Sequence, residues 1–451
     1  MNHIQTLISS KKTFTFHILD AIDVTIEVSE NPYGLPIHEL FTMAARINKK
    51  RSFLFVSNVL GKHIPIHPKK GLLTAALLAV RYLENIKNIS ATEKEQLLNA
   101  FSNGAKLQEW RLTPFIPAEC QPVVIGFAET ATALGHGFFS CFENACYFHT
   151  TREAISGLDP EVTFEEEHSH ATSHRCYIPL ELINHNREII LVDDEMTTGK
   201  TALNIIKSIH SKFPREKYTV VSILDWRSGE DRRQFMNLEQ ELGITIRVVS
   251  LLSGSVTVNQ RGKLTEEDKA ENAPASGEMS IEVLDIGSYF TSSMYASIQD
   301  PAPFIQETGR FGLNSKQNYL LHQQVSQAAA FLSKKRQGQR TLCLGSGEFM
   351  YLPMIMAAEM GEEVYYQSTT RSPIYIKNCN GYGARCRLVF PNPEDPSVTN
   401  FVYNILPGSY DEIFIFIERE VDSENLRPFL EELRKTAVNS VKLVFFSKEQ
   451  R

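Results

Sequence analysis

Residues 189–206, with the sequence IILVDDEMTTGKTALNII, join four apolar residues, two aspartates and a loop of small and hydroxyl residues in one run. The apolar residues 189–192 are typical of a buried β-strand. After Gly199, apolar residues recur at helical spacing, at Ala202, Ile205, Ile206, Ile209 and Phe213. The run therefore predicts a strand, a short loop and a helix, with both aspartates at the carboxyl end of the strand.

Other apolar segments flank this unit. Between about residues 120 and 260 they are PVVIGF, ACYFHT, EIILVDD, YTVVSILDW and ITIRVVSLL, each separated by a segment long enough for a helix. This alternation indicates a parallel sheet covered on both faces. A second alternation follows, with strands in QRTLCLGSG, EEVYYQSTT, YDEIFIFIE and SVKLVFFS. We predict an α/β protein in which a parallel-sheet unit precedes a second, smaller α/β unit.

The length of 451 residues exceeds what one hydrophobic core usually organises, so more than one domain is expected. Residues 259–280, NQRGKLTEEDKAENAPASGEMS, are charged and rich in small residues, which predicts an exposed loop or linker. That segment would separate a first domain at residues 1–258 from a second at residues 281–451. Within the first 120 residues, one strong helix is expected near residues 71–86.

The letters TGKT within the run also occur in the phosphate loop of ATPases. That loop requires the pattern GxxxxGK[ST], whose first glycine lets backbone amides surround a phosphate. Counting back from Gly199, the required glycine would stand at position 194, which is Asp194. The ATPase interpretation is therefore disfavoured.

A sugar phosphate accounts for both the loop and the acids. The N–H groups at a helix amino terminus bind phosphate, assisted by the positive end of the helix dipole. Two carboxylates cannot favour that phosphate, but they accept hydrogen bonds from vicinal hydroxyls. Ribose 5-phosphate carries both groups. The alternative for an acidic pair at a strand end is a helix cap or a solvated turn.

Residues 189–201 resemble the phosphoribosyl pyrophosphate (PRPP) motif of type I phosphoribosyltransferases. The resemblance implies that Asp193 and Asp194 hold the ribose hydroxyls at the reaction centre. It implies that the 5-phosphate is bound by Thr197, Thr198, Gly199, Lys200 and Thr201. It also implies Mg²⁺ as cofactor, held mainly through PRPP and not by direct protein ligation.

The expected reaction transfers ribose 5-phosphate from PRPP to a small base-like acceptor and releases pyrophosphate. The same motif occurs in proteins that bind PRPP without turning it over. A non-catalytic PRPP-binding regulator is therefore the alternative from a different class.

The resemblance also predicts a pyrophosphate loop after the strand PVVIGF. Its residues would be Ala128, Glu129 and Thr130, where small side chains let backbone amides approach phosphate oxygens. Arg152, at the end of the next strand, is the candidate basic ligand for pyrophosphate. The alternatives are a plain helix start and an ordinary surface arginine.

Histidines cluster before the PRPP strand, in VTFEEEHSHATSHRCY. Relatives carry a mobile flap at this place. The candidates to bring protons and positive charge to the leaving pyrophosphate are His168, His170, His174 and Arg175. Histidine titrates near neutrality, which suits that role. Two alternatives stay open, a polar exposed loop and a zinc site built from these histidines with glutamates 165–167.

Basic residues accompany an apolar strand in the amino-terminal region, FLFVSNVLGKHIP. Arg46, Arg51 and two lysines between them precede or enter that strand, and such residues usually form a solvated strand edge. Lys62 and His63, which follow a glycine, are alternative ligands for an anionic substrate.

The second unit contains a GxG turn in LCLGSGEFMYLP. A dinucleotide-binding turn would need a third glycine at position 350, which is Met350, so the turn predicts a packing element as readily as a nucleotide site. Residues 370–373, Thr-Arg-Ser-Pro, resemble the TRSP domain. Arg310 and Arg371 are candidate anion ligands, with buried structural arginines as the alternative.

The TRSP domain occurs behind a branch of phosphoribosyltransferases associated with bacterial tellurite-resistance and stress gene clusters. Resemblance to that branch extends to FLFVSNVLGKHIP and EEEHSHATSHR, and so covers most of the chain. It implies the synthesis of a nucleoside-like metabolite, on gene context and fold analogy rather than on particular residues.

Composition restricts the remaining classes of function and location. A net charge of −7 and a pI near 6.0 argue against general nucleic-acid binding. The amino terminus lacks the apolar core of a signal peptide, and no apolar run reaches the ~20 residues of a membrane span, so a cytoplasmic location is expected. Seven cysteines without a CxxC pair predict reduced thiols. The sequence leaves a homodimer open.

Overall fold

The computed structural model describes residues 12–47, 51–165, 173–264 and 279–447. The elements up to residue 260 are, in chain order, β1 (Lys12–Ile18), β2 (Ile22–Glu30), α1 (Ile37–Leu40), β3 (Phe41–Ala45), β4 (Phe53–Ser57), α2 (Pro68–Ile86), α3 (Lys94–Ser102), α4 (Gly104–Glu109), β5 (Val123–Gly126), α5 (Ala131–Phe139), β6 (Cys146–His149), β7 (Val162–Glu165), β8 (Ser173–Cys176), α6 (Leu180–Ile183), β9 (Ile189–Met196), α7 (Lys200–Lys212), β10 (Lys217–Asp225), α8 (Gly229–Leu242) and β11 (Thr245–Gln260).

The elements after residue 279 are β12 (Ser280–Asp285), β13 (Ser292–Ala296), β14 (Pro303–Ile305), β15 (Leu313–Asn314), α9 (Ser315–Ser333), β16 (Thr341–Gly345), α10 (Tyr351–Glu359), β17 (Val364–Ser368), β18 (Arg387–Asn392), β19 (Asp395–Tyr403), β20 (Glu412–Arg419), α11 (Ser423–Leu433) and β21 (Ser440–Ser447). Short 3₁₀ turns occupy Gly287–Tyr289, Gln306–Thr308 and Arg434–Thr436.

Eight strands form the larger sheet, in the order β1-β2-β11-β10-β9-β5-β6-β15. Its central strands β11, β10, β9, β5 and β6 run parallel to one another, as the sequence predicts. The carboxyl ends of parallel strands meet at one edge of a sheet. The loops after β5, β6 and β9 therefore come together.

Alternate residues of the central strands enter two different cores. Val124, Ile190 and Val192 belong to the core beneath α2 and α5. Ile125 and Leu191 belong to the core beneath α7. Because helices cover both faces, the strands can be apolar at every position, which explains the unbroken runs in the sequence. The helix predicted near residues 71–86 is α2, and it is buried along most of its length.

The second sheet has the order β12-β21-β20-β16-β17, and all of its strands are parallel. Its apolar residues Phe414 and Phe416 share one continuous core with α2, α5, α9 and α10. The predicted second α/β unit is therefore confirmed, and helices between the two sheets join them.

The predicted division at residues 259–280 stays a prediction. Residues 265–278 lie outside the described residues, and β11 continues to Gln260, beyond the predicted strand end, because its last residues pair antiparallel with β2. Strand β15, from beyond the proposed linker, pairs with β6 of the larger sheet.

Two smaller expectations concern the thiols and the membrane. All seven cysteines are free, in agreement with the reduced thiols predicted. Among the described residues, no helix is both long and apolar enough to cross a membrane.

Candidate functional site

A cavity of about 370 Å³ lies at the carboxyl ends of β5, β6 and β9. It collects residues that are far apart in the sequence. Among the predicted site residues, those lining it are Ala128, Glu129, Thr130, Arg152, His174, Asp193, Asp194, Thr197, Thr198, Gly199, Thr201 and Arg371. The cavity thus brings together the loop after β9, the loop after β5 and one arginine of the second domain.

The loop after β9 ends at Gly199, which is the residue preceding α7. Gly199 has a φ of 76°, in the left-handed region that favours glycine. A Cβ atom at this position would lie 2.6 Å from the ring of Phe235, so a side chain is excluded by contact as well. The turn brings Gly199 and Thr201, at the amino terminus of α7, into the lining of the cavity, and the N–H of Lys200 donates to Oγ1 of Thr198 at 3.3 Å.

Asp193 and Asp194 lie at the end of β9, before that loop. The backbone N–H of Asp194 donates to Oδ1 of Asp193 at 2.9 Å, which fixes the orientation of the Asp193 carboxylate. Burial raises the pKa of Asp194 above its usual range, opposed by the hydrogen bond with Asp193. A buried carboxylate whose pKa is raised in this way is stabilised by a nearby cation or hydroxyl donor.

Glu195, the third acid of the run, was missed by the sequence reasoning. Its Oε1 lies 2.6 Å from Nη2 of Arg51, and burial raises its pKa despite that pair. The pair connects β9 to the β3–β4 hairpin, which lies over the acidic pair. An acid following the aspartates in DDE is the only signal that the sequence offers for this contact.

The loop after β5 packs closely against β6. Ala128 donates its backbone N–H to Oγ1 of Thr150 at 2.9 Å, and the peptide bond between Ala128 and Glu129 is cis. Helix α5 begins two residues later. Residues 128–130 line the cavity, and the binding of pyrophosphate by their backbone amides stays a prediction.

The side chain of Glu129 is buried among cations. Oε1 lies 3.1 Å from Nζ of Lys62, and Oε2 lies 4.0 Å from Nη1 of Arg152. Burial acts to raise the pKa of Glu129, but Lys62, Arg152 and Arg371 together hold that pKa below its ordinary value. The carboxylate is charged and its neighbourhood carries a surplus of positive charge.

The prediction of a solvated strand edge is wrong for Arg51, whereas Lys62 and His63, the alternative anion ligands, line the cavity. The Lys62 side chain is 1% exposed, and Arg51 is held by Glu195. The second domain causes the burial of Lys62, because Ser368 donates its N–H to the carbonyl of Gly61 at 2.7 Å and covers the turn. Neighbouring His63 is buried too, and burial lowers its pKa to about 3.

The GxG turn of the second domain and the residue after it form hydrogen bonds with the first domain. Nζ of Lys62 donates to the carbonyl of Gly347 at 3.3 Å. The Glu348 carboxylate accepts hydrogen bonds from Oγ1 of Thr151 at 2.6 Å and from the N–H of Arg152 at 2.8 Å. Of the two interpretations that the sequence left open for this turn, the contacts agree with the packing element.

His174 lies in β8, which pairs with β7. Its ring is buried, stacks on Phe164 at 5.0 Å, and places Nδ1 2.9 Å from Oγ1 of Thr150. His168 and His170 lie outside the described residues, so the flap, the polar loop and the zinc site stay predictions. Within the described ranges, no group of three or more metal-ligating side chains is present.

Two predicted ligands do not line the cavity. Lys200 is not among the described residues that line it. Arg310 is 2% exposed and binds Glu418 through both carboxylate oxygens, at 3.0 and 3.1 Å. Arg310 therefore matches the alternative, a buried structural arginine, and its ion pair explains why it does not reach the cavity.

Comparison with known protein families agrees with this geometry. A family described as phosphoribosyl transferase (PRTase_2) matches residues 40–255. A second family, described as the TRSP domain C terminus to PRTase_2, matches residues 307–433. The chain belongs to the fused phosphoribosyltransferase–TRSP family. The predicted resemblance is confirmed, and the cavity lies where the phosphoribosyltransferase part meets the TRSP part.

Three solved phosphoribosyltransferases are similar to parts of this chain at low identity. An adenine phosphoribosyl transferase from Trypanosoma brucei, in complex with AMP, pyrophosphate and ribose-5-phosphate, is 10% identical, with a TM-score of 0.31 over 50% of this chain and 82% of that one. An adenine phosphoribosyltransferase from Rhodothermus marinus is 14% identical, with a TM-score of 0.25 over 48% and 95%. The orotate phosphoribosyltransferase of Mycobacterium tuberculosis H37Rv is 14% identical, with a TM-score of 0.23 over 48% and 90%. No curated protein matches the chain.

Proposed function

We propose that this phosphoribosyltransferase–TRSP protein transfers ribose 5-phosphate from PRPP to a small base-like acceptor and releases pyrophosphate. One observation carries the proposal. A single cavity is lined by the acidic pair Asp193 and Asp194, by the loop that leads into α7 and by residues 128–130. These are the three groups that ribose hydroxyls, a 5-phosphate and pyrophosphate need.

In this proposal the 5-phosphate binds the N–H groups at the start of α7, assisted by Thr197, Thr198 and Thr201. The ribose hydroxyls donate to Asp193 and Asp194. As the bond from C1 to pyrophosphate loosens, positive charge develops on the ribose ring. The two carboxylates stabilise that charge from fixed positions.

Mg²⁺ fits the donor set of this cavity. Carboxylate oxygens are the ligands that this hard cation prefers, and a divalent cation near Asp194 would offset the burial that raises its pKa. Mg²⁺ bound there would neutralise charge on the leaving pyrophosphate. Asp193 and Asp194 would hold it through the ribose hydroxyls or through water.

The acceptor is proposed to enter beneath the β3–β4 hairpin. Leu54, Phe55 and Ser57 of that hairpin line the same cavity, and the Phe55 ring stacks on Trp226 at 5.2 Å. This gives a flat apolar wall suited to a ring-shaped acceptor. A nucleoside-like product with a role in tellurite or stress resistance belongs to the same proposal, supported by the TRSP resemblance alone.

Calorimetric titration with PRPP and Mg²⁺ tests the proposal, beside ATP and Mg²⁺. The wild type should bind PRPP and not ATP. The double variant Asp193→Asn/Asp194→Asn should lose PRPP binding, whereas Glu95→Gln/Asp159→Asn removes two acids outside the cavity and should retain it. Preference for ATP, or equal PRPP affinity in both double variants, would reject the proposal.

A second measurement separates catalysis from binding. Pyrophosphate release from PRPP is followed over a panel of purines, pyrimidines and other nitrogen heterocycles. Release with any acceptor, lost in the Asp193→Asn/Asp194→Asn variant, supports the transferase. Tight PRPP binding without release across the panel favours the PRPP-binding regulator instead.

A further inference from the structure

We infer that the pyrophosphate subsite is shared between the two domains, with Arg371 of the TRSP stretch as its second-domain ligand. This inference rests on the proposed function and deepens it. It assigns to the second domain a direct part in substrate binding, which its position in the sequence does not suggest.

The Arg371 side chain has no hydrogen-bond or ion-pair partner among the described residues of its own domain. It lines the cavity beside Glu129 and Arg152, and it is neither fully buried nor fully exposed. Across the described ranges, its guanidinium makes no hydrogen bond and no ion pair, unlike Arg51, which pairs with Glu195, and Arg310, which pairs with Glu418. Its five N–H donors are therefore available to a ligand.

The backbone around Arg371 is fixed from several sides. Thr370 exchanges two backbone hydrogen bonds with Phe401, at 2.9 and 2.7 Å. The Tyr403 hydroxyl donates to the carbonyl of Ser372 at 2.8 Å. Ile47, from the first domain, donates its N–H to the carbonyl of Pro373 at 3.0 Å. The backbone at Arg371 is thus held at the cavity before any ligand arrives, so binding has to order only the side chain.

The charge balance favours a polyanion at this place. Three cations, Lys62, Arg152 and Arg371, act on the carboxylate of Glu129, and the Glu348 carboxylate at the N–H of Arg152 is a second acid here, so one positive charge is left over. Pyrophosphate carries several negative charges at neutral pH and would satisfy the surplus. The cations come from three separate parts of the chain, so only the folded two-domain protein assembles the set.

An unused hydroxyl lies next to the arginine. Oγ of Ser372 is buried and has no hydrogen-bond partner among the described residues. Ser372 also lines the cavity. A phosphate bound by Arg371 would lie close to this donor, because the two residues are adjacent in the chain. The arginine and the serine of the Thr-Arg-Ser-Pro sequence would then bind the same anion.

The test is calorimetric titration of wild type and Arg371→Ala with pyrophosphate, with ribose 5-phosphate and with PRPP, each with Mg²⁺. Arg371→Ala should weaken pyrophosphate and PRPP binding by about tenfold or more, and change ribose 5-phosphate binding by less than about twofold. Arg371→Lys should recover part of the loss. Arg427→Ala removes an exposed arginine of the second domain, outside the cavity, and should match the wild type.

Three outcomes would overturn the inference. One is unchanged pyrophosphate affinity in Arg371→Ala. Another is an equal loss for ribose 5-phosphate, which would indicate general damage to the cavity. The third is a loss of the same size in Arg427→Ala. A wild type that binds pyrophosphate but not PRPP rejects the proposed function, and the Arg371→Ala comparison with pyrophosphate still decides the shared subsite.

Discussion

The Glu348 carboxylate accepts the backbone N–H of Arg152 at 2.8 Å, across the contact between the two domains. Glu348 follows the GxG turn after β16, and Arg152 follows β6, so the two sheets place them from opposite sides. Nη1 of Arg175 also donates to the carbonyl of Arg152, at 2.8 Å. Both the N–H and the carbonyl of Arg152, the candidate pyrophosphate ligand, are therefore hydrogen-bonded to other residues, which fixes its backbone.

Replacing Glu348 by alanine should weaken PRPP binding by about tenfold, because the N–H of Arg152 loses its acceptor and the strand end shifts. The same change should lower the free energy of unfolding by about 1–3 kcal/mol. Calorimetric titration and urea unfolding measure the two effects. Glu362→Ala, an exposed acid on the same domain, is the matched control. PRPP affinity equal in both variants would contradict the supporting role.

Replacing Gly199 by alanine should remove PRPP binding. The left-handed φ costs a side chain about 1–2 kcal/mol, and the collision with Phe235 adds to that cost. Gly243→Ala is the matched control, since its φ is also positive, at 66°, and no atom lies within 4 Å of the added Cβ. Thermal unfolding should show the larger loss for Gly199→Ala. Normal PRPP binding by that variant would place the 5-phosphate elsewhere.

Removal of Mg²⁺ with EDTA should lower PRPP affinity by about tenfold or more, because pyrophosphate oxygens and the acidic pair would then repel one another. The unliganded protein should keep its melting temperature in EDTA, because in this proposal Mg²⁺ is held mainly through PRPP. Calorimetry measures the change in PRPP affinity, and thermal unfolding measures the melting temperature. A large fall of the melting temperature in EDTA would instead favour the zinc alternative for the histidine-rich segment.

Glu394 should make stability depend on pH. Burial raises its pKa to about 7, opposed by Arg419 at 3.2 Å and reinforced by the nearby carboxylates of Glu153 and Glu418. Because the unfolded chain ionises this group near its ordinary pKa of 4.5, the stability that it contributes is present below that pH and is lost as the pH rises towards about 7.

Glu394→Gln should therefore give a flatter profile than the wild type when urea unfolding is measured between about pH 5 and pH 8. The amide retains an oxygen that can accept from Oγ of Ser346, which lies 3.1 Å from Oε2 of Glu394. Parallel profiles for the two proteins would show that Glu394 is ionised throughout.

Arg310→Met should destabilise the fold by about 3–5 kcal/mol, because it leaves the buried Glu418 carboxylate without its partner. Urea unfolding measures the loss. PRPP affinity of the folded variant should equal that of the wild type, since Arg310 lies outside the cavity lining. A selective loss of PRPP affinity would restore Arg310 as an anion ligand.

Much of the fold could be predicted because its signals are local. The parallel strands β5, β6, β9 and β10 match the apolar runs, and α7 begins directly after Gly199, as the spacing of apolar residues predicts. The spacing of apolar residues and the composition are properties of a single helix or strand, so they can be recognised without knowing which elements pack against it. The end of β11 could not be predicted, because its last residues form a strand by pairing with β2.

The sequence by itself determined the α/β architecture and the loop that joins β9 to α7. The signals for both are local, because the apolar run, the two acids and the glycine with left-handed φ lie next to one another in the chain. Only the tertiary structure decided that Lys62 is buried against Glu129, that Glu348 supports Arg152 and that Arg371 enters the cavity. These contacts join residues separated by tens to hundreds of positions. Charge pairing across such distances has no periodic signature, and it is fixed only when the two sheets pack around their shared helices.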